Sequence, residues 1–548
     1  MKSRFSLITF IFLFFSVNAF SEAQFDRLVK DQQRNDNNTL RENRVERKDV
    51  FSSKQDVFIE NIKIPNDEVC YKIDELSIKD DFLDDQTLTE IKKKVAKTCL
   101  GVNGIQRVAT LVQDYYINAG YVTTRIETPT QNLASGKLLL QVIPGRIEKV
   151  LIGNDDVRKI ILPFIEGEIL NLRDIEQGLE NLQKTPNSDV KINIVPGSKS
   201  GYSNIVINTN RTKAWNVRTA YNNWGDKSTG QFLAGGAGYL YNVAGLNDVF
   251  YLSGTSSTTG AYKNVSAWYN FPFGFWDYEV LYSNSESRQG IAIGHWNYDY
   301  IGINEYLSLK GSRTLYRDMD KKITGSLEML RRKSAYELDG IELALQKRDM
   351  GNLRLALNYK QNFSDATLDS TISWQRFITW FGGSKTPDML SGDADSASHL
   401  FNLNLTYTKW LNALPVQSWY EINLGAQYTQ AALTLQDQFT IGNRWSVRGF
   451  ENSTGLDGNK GFYMQNTLNF ATNYDSMTAY LGADYGLINN SGYSQGAYGC
   501  ENLLGAVSGI KGTFQSLGYD FSLSVPLIYP SNLSVDKVTT SFNISYQL

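Results

Sequence analysis

Arg448 stands in the stretch Val447-Arg448-Gly449-Phe450, late in a chain whose C-terminal part alternates apolar and polar residues. On a lipid-facing position an arginine would cost about 2–4 kcal/mol at mid-bilayer, so in a membrane barrel it belongs in the lumen or on a loop. Gly449 permits a tight turn or a positive φ, and Val447 and Phe450 can anchor such a turn by packing. A guanidinium shielded from water needs an acceptor. About one strand further on, Gly482-Ala483-Asp484-Tyr485-Gly486 offers one, a carboxylate between small residues that can take both arms of the fork. The residues alone leave two readings open: a charged surface loop, or a loop pinned to a wall.

Other candidates for chemistry are few. The 2 histidines, His295 and His399, lie outside any ligand-like cluster, and no nucleophile-elbow, zincin or phosphate-loop motif is found. The acidic pairs Asp80-Asp81 and Asp84-Asp85 read as solvated charges at the start of the helix after Gln86. An enzyme, a cofactor and a bound metal are therefore not expected. Of 3 cysteines, Cys70 and Cys99 share one early segment. In an exported chain they are expected to pair, and closing that loop would stabilise by about 3–4 kcal/mol. Cys500 is left over as an isolated loop thiol.

Export is signalled by Met1-Lys2-Ser3-Arg4, an apolar stretch over residues 7–15, and small residues ending at Ala19 or Ala23. This pattern reads as a signal peptide over residues 1–23. No later segment approaches the roughly 20 apolar residues of a transmembrane helix, so the mature chain is expected to be soluble or a β-barrel. The net charge is −3 and the 54 basic residues are dispersed, which argues against nucleic acid as a partner.

The elements that must position Arg448 begin near Trp215, where strand alternation takes over. Leu353, Leu355, Leu357 and Tyr359 alternate with Arg354, Ala356, Asn358 and Lys360; Phe401, Leu403, Leu405 and Tyr407 alternate with Asn402, Asn404, Thr406 and Thr408. The strands reach the 9–11 residues of a tilted membrane strand, aromatics such as Trp374, Phe377 and Trp410 gather at their ends, and the polar face suits a wet lumen. The chain ends in alternation through Phe542, Ile544, Tyr546 and Leu548, as a closing strand would. At about 20 residues per strand and connection, the region holds about 16 strands.

Between residues 57 and 211 the texture changes to short strands and amphipathic helices, twice over. The first unit reads as a strand at 70–78, helices at 86–97 and 103–119, and strands at 125–127 and 137–142. The second reads as a strand at 147–152, helices at 157–164 and 172–183, and strands at 190–195 and 205–208. These are two βααββ modules with exposed sheet edges. Ahead of them, half of residues 24–49 are charged, which leaves disorder and a helix in a wet environment both open.

Several stretches resemble the two-partner secretion translocators (TpsB family). "GYVTTRIETPTQ" (120–131) and "SGKLLLQVIPGRI" (135–147) resemble the first of that family's two POTRA modules, and "YNFPFGFWDYEV" (269–280) resembles its early periplasmic turn. "SVRGF" (446–450) and "GADYG" (482–486) match its loop and wall motifs. The resemblance implies a mainly β protein: signal peptide 1–23, plug helix and linker 24–56, POTRA modules 57–145 and 146–211, and a barrel of about 16 strands at 212–548 in the outer membrane. It implies that the loop motif Val447, Arg448, Gly449 and Phe450 folds into the lumen, with Arg448 meeting Asp484 between Gly482 and Gly486. The implied activity is capture of a large unfolded partner, a haemolysin, adhesin or contact-dependent toxin, by periplasmic modules and its export through the barrel without ATP. Strand addition to a module edge would serve that capture. A barrel assembly factor and a passive channel are the alternatives, although a diffusion pore has no use for such modules. The chain departs from the family in ending on Leu548 where phenylalanine is usual, and Cys500 has no counterpart.

Overall fold

The structure is a computed structural model that describes residues 38–40, 49–51, 65, 67–83, 86–153, 157–186, 188–293, 295–451, 454–472, 474, 476–489 and 500–548. The expected signal peptide lies outside the described residues, as does most of the expected plug segment.

Period-2 alternation gives each strand from Trp215 onward one apolar and one polar face, and a sheet with two such faces closes on itself when lipid is outside and water inside. Sixteen antiparallel strands do so, from Trp215–Asn222 to Thr539–Gln547. First and last strands pair from Asn543↔Asn222 to Gln547↔Arg218. Leu240, Leu252, Val265, Leu355, Leu357, Ile372, Leu481 and Phe521 stand exposed on the outer face, as a lipid-facing band requires. Arg354, Asn358, Lys360, Asn402 and Asn404 line the cavity inside. Phe377 differs from its expected place among the rim aromatics: its position on strand Ala366–Ile378 faces inward, where it is buried with Met350, Met389 and Ala394.

The first module is a sheet ordered Glu75–Lys79, Lys137–Ile143, Arg125–Glu127, parallel then antiparallel, covered by α1 (Gln86–Val95) and α2 (Val102–Asn118). Leu88, Ile91 and Val95 of α1 and Val108, Val112 and Tyr116 of α2 recur at helical spacing and fill its core against Leu138 and Leu140. The strand expected over 70–78 is in fact two, Tyr71–Ile73 and Glu75–Lys79. The first half pairs with Thr98–Leu100, which the sequence reading had missed, in register Lys72↔Cys99. Cys70 and Cys99 are disulfide-bonded, with Cα atoms 5.4 Å apart. Asp81 is not a purely solvated charge: its carboxylate accepts a 2.5 Å hydrogen bond from the Tyr116 hydroxyl.

The second module is a sheet ordered Arg146–Ile152, Tyr202–Arg211, Ser188–Pro196, with α3 (Leu172–Leu182) across it. The helix expected over 157–164 is absent there; only a 3-10 turn, Lys159–Ile161, forms. Pro163 excludes a helical conformation for the residue before it and stops the segment after one turn. The module is therefore β-turn-α-β-β.

Candidate functional site

The long loop between strands Ser418–Tyr428 and Lys460–Ala471 folds into the barrel, and its tip is the segment singled out from sequence. Gly449 has φ +109°, a conformation that favours glycine, and a Cβ there would stand 2.7 Å from the Val525 carbonyl oxygen. That turn aims Val447 and Phe450 into a buried cluster with Ile441, Leu456, Ile488 and Leu503. Arg448 then projects to the wall strand Thr478–Asn489. Its Nε and Nη2 donate to Asp484 Oδ2 and Oδ1 at 2.6 and 2.7 Å, and its backbone N–H donates to Oδ2 at 3.0 Å. Nη2 also donates to Thr467 Oγ1 at 2.9 Å, and the Asn466 N–H donates to Asp484. Asp484 is fully buried, so these donors replace the water its charge has lost.

The two glycines flanking Asp484 follow from the same contact. On a strand, residues 482, 484 and 486 share a face. A Cβ on Gly482 would lie 2.6 Å from Arg448 Nη2, and one on Gly486 would lie 2.7 Å from Val447 Cγ2. Small residues there leave a trough for the loop tip. Gly505, on the adjacent strand Cys500–Phe514, has the same role, because a Cβ would overlap the Arg448 carbonyl oxygen. Sequence reading missed it, since a lone glycine on a strand carries no signal of what approaches it.

Two further contacts fasten the loop and were not read from sequence. The Arg444 guanidinium lies 3.2 Å from the ring centre of Trp224 and 4.5 Å from that of Trp445. Lys227 bridges Glu451 of the loop at 2.8 Å and Asp536, before the last strand, at 2.7 Å. Trp224 Nε1 donates to Ser541 of the last strand, and Asn223 Nδ2 donates to the Thr540 carbonyl. The loop is thus tied to the join of first and last strands as well as to Asp484.

The lumen is occupied from the N-terminal side. Residues 38–40 are helical, and Leu40 is buried against the inward tyrosines Tyr239, Tyr241 and Tyr251, with Trp268 and Leu281. Residues 49–51 lie at the mouth nearest the modules, where Asp49 bridges Lys322 and Lys360 at 3.1 and 2.6 Å.

That mouth is built on α3. One side of the helix, with Ile175 and Leu182, enters the core of the second module. The other carries Arg173, Glu176, Gln177, Glu180 and Asn181, all buried. Asn181 donates to the Gly274 carbonyl at 2.7 Å, in the turn read as an early periplasmic one. Lys184, just beyond the helix, meets Asp277 at 2.8 Å, and Thr185 meets Asn247 in the preceding turn at 2.9 Å. At the next turn along, Gln177 accepts from Thr314, Arg317 bridges Glu176 and Glu180 at 3.3 and 2.8 Å, and Lys322 meets Glu180 at 2.5 Å. Burial raises the Glu180 carboxyl, but Lys322 and Arg317 outweigh it and hold its pKa below the ordinary range. One helix thereby joins three barrel turns.

Among the described residues no group of histidine, cysteine and carboxylate side chains could hold a metal ion. Cys500 is a free, exposed thiol, and it opens strand Cys500–Phe514 rather than sitting in a loop.

A closed sixteen-strand barrel with two small αβ modules under its mouth is the architecture of an outer-membrane polypeptide translocator. Residues 201–512 match the family described as haemolysin secretion/activation protein ShlB/FhaC/HecB, residues 73–145 match a POTRA domain of ShlB type, and residues 146–196 match a POTRA domain. The chain belongs to that haemolysin secretion/activation family. It is 28% identical over 468 residues to the outer membrane transporter CdiB-2 of Burkholderia pseudomallei, covering 82% of this chain and 79% of the relative. It is 27% identical over 414 residues to the hemolysin transporter protein ShlB of Serratia marcescens, covering 73% of each. Its fold matches the solved structure of CdiB from Escherichia coli with a TM-score of 0.83 at 24% identity, over 95% of this chain and 98% of the other. The protein is a two-partner secretion translocator of the outer membrane, with its POTRA modules in the periplasm.

Proposed function

We propose that this translocator serves one large exported protein, a haemolysin, adhesin or contact-dependent toxin, and moves it unfolded from the POTRA modules through the barrel without ATP. The observation that supports this most is the docking of α3 under three barrel turns, which sets a polypeptide-binding module directly beneath a polar lumen. Exposed strands such as Ser188–Pro196 offer main-chain hydrogen bonds to an extended chain of any sequence. In this reading Arg448 and Asp484 hold the long loop inside the lumen, Gly482 and Gly486 make room for it, and the Cys70–Cys99 bond stiffens the first module. The residues around Leu40 block the path at rest, and the outer apolar band meets membrane lipid. Folding of the partner outside would bias the movement. Deleting the gene and assaying surface and medium for very large proteins tests the reading: one such protein should be retained and degraded in the periplasm, and unchanged export of all of them would overturn it.

A further inference from the structure

The segment Asp49-Val50-Phe51 is held by more than a linker needs. The Val50 N–H donates to Glu180 Oε1 at 2.9 Å, and Arg317 donates to the Val50 carbonyl oxygen. Asp49 sits between the ammonium groups of Lys322 and Lys360, and the Phe51 ring lies 5.7 Å from the Arg317 guanidinium. Two of these contacts go to backbone and would accept any residue. The other two read side chains: a carboxylate at one position and an aromatic ring two residues on.

The partners that make these contacts belong to the fold, not to the segment. Arg317, Lys322, Glu176 and Glu180 are tied to one another across the joint between α3 and the barrel, and Glu180 is fully buried. Arg173 meets Glu176 at 2.6 Å and Lys360 meets Asp369 at 3.3 Å. Among the described residues this cluster sets Arg173, Arg317, Lys322 and Lys360 against Glu176, Glu180, Asp369 and Asp49. When Asp49 leaves, Lys322 is still held by Glu180 and Lys360 by Asp369, so the groove persists with the two ammonium groups that Asp49 had bridged. Asp49, Lys322 and Lys360 also line the same lumen cavity as Arg354 and Asp437. In the transport reading above, a polypeptide passing from the second module into the lumen crosses this point.

We propose that this groove is a peptide-binding site for the transported polypeptide, selecting unfolded segments with a carboxylate followed two residues later by an aromatic ring, and that Asp49-Val50-Phe51 occupies it at rest as a built-in stand-in. This deepens the transport reading above and rests on it. The first such segment of the partner displaces the stand-in, and the chain leading to the plug residues is released as the incoming polypeptide is positioned.

The test uses the full chain in detergent and a fluorescent synthetic peptide copying residues 45–53, with companion peptides carrying Asn in place of Asp49 or Ala in place of Phe51. Anisotropy should show the parent peptide binding the Asp49→Ala/Phe51→Ala double variant at least about tenfold tighter than the wild-type chain, whose site is filled. Each companion peptide should bind the double variant about tenfold more weakly than the parent. Adding Lys360→Gln to the double variant should remove most of the gain, while its heat-modifiable barrel mobility shows that it still folds. Equal binding to wild type and double variant, or no binding to either, overturns the site. Export of the partner by the wild-type chain is scored separately in cells, so a failed peptide with intact export sinks only this inference, whereas export that survives gene deletion sinks the transport reading itself.

Discussion

Arg448 and Asp484 show how burial makes an ion pair costly to break from one side. Removing the guanidinium leaves a fully buried carboxylate held only by two backbone N–H groups, and breaking a buried pair from one side destabilises by about 3–5 kcal/mol. Arg448→Ala should therefore free the loop tip and abolish most secretion while the barrel stays in the membrane. Arg448→Lys should retain only part of the function, because an ammonium cannot make the two-armed contact. Asp484→Ala should match Arg448→Ala, and the double mutant should add little, since both remove one interaction. Secretion titres together with protease accessibility of the loop measure this, and additive defects would show that the two residues act separately. A second residue speaks about pH. Asp174, in the first turn of α3, has its pKa raised to about 6, by burial first and by the neighbouring Glu168 second. A raised folded-state pKa means that the acid form is favoured by folding, so its contribution is full below about pH 4 and is lost as pH rises through about 6. At pH 7.5 the charged form opposes folding by up to about 3 kcal/mol. Asp174→Asn should raise the melting temperature of the second module at pH 7.5 and have little effect near pH 4.

At the scale of elements, the first module depends on its disulfide because the pairing it supports is small. Tyr71–Ile73 and Thr98–Leu100 are three-residue strands, too short to hold alone, and the Cys70–Cys99 bond spans them. Cys70→Ser/Cys99→Ser should lower the stability of this module by about 3 kcal/mol in the chain-entropy model and leave the barrel's melting unchanged. Calorimetry with and without reductant would read this, and a shift in barrel melting would contradict it. The same elements show what could be read in advance. Strand alternation from Trp215, the helical spacing of Leu88, Ile91 and Val95, and glycines around Asp484 are local patterns, and each places its own element. Thr98–Leu100 was missed because three residues carry no period, and residues 157–164 read as a helix because their apolar spacing outweighed Pro163. The polar side of α3 was the larger omission. Arg173, Glu176, Gln177, Glu180 and Asn181 have the composition of a solvated face, and only the approach of three distant turns makes it an interface. Gly505 and Arg444 were silent for the same reason: their partners lie on other strands.

For the whole molecule, the transport reading asks of the joint between module and barrel that it be rigid enough to aim a polypeptide and separable enough to move, and its chemistry suits both demands. Buried ion pairs are geometrically exact but contribute little net stability, because desolvation offsets the attraction. They therefore specify one docked arrangement without binding it as a hydrophobic interface would. Arg317 is the residue on which the arrangement converges, since it touches Glu176, Glu180, Gln177 and the Val50 carbonyl. In Arg317→Ala, Glu180 keeps Lys322 and Glu176 keeps Arg173, but the guanidinium that ties both carboxylates of α3 to this barrel turn is gone. The contacts of Lys184, Asn181 and Thr185 at the other two turns remain, so the module should pivot about that end rather than detach. Spin labels at Lys191→Cys on the exposed face of the second module and at Asn412→Cys in a barrel turn, in a Cys500→Ser background, would measure the motion. The wild-type chain should give one narrow distance distribution, and Arg317→Ala should broaden it by several ångströms while export falls. Lys184→Ala should broaden it less, because Asn181 and Thr185 hold the same end. A narrow, unchanged distribution in Arg317→Ala would mean that Lys184, Asn181, Thr185 and the Lys322–Glu180 pair orient the module without it, and that Arg317 serves the passing polypeptide instead of the joint.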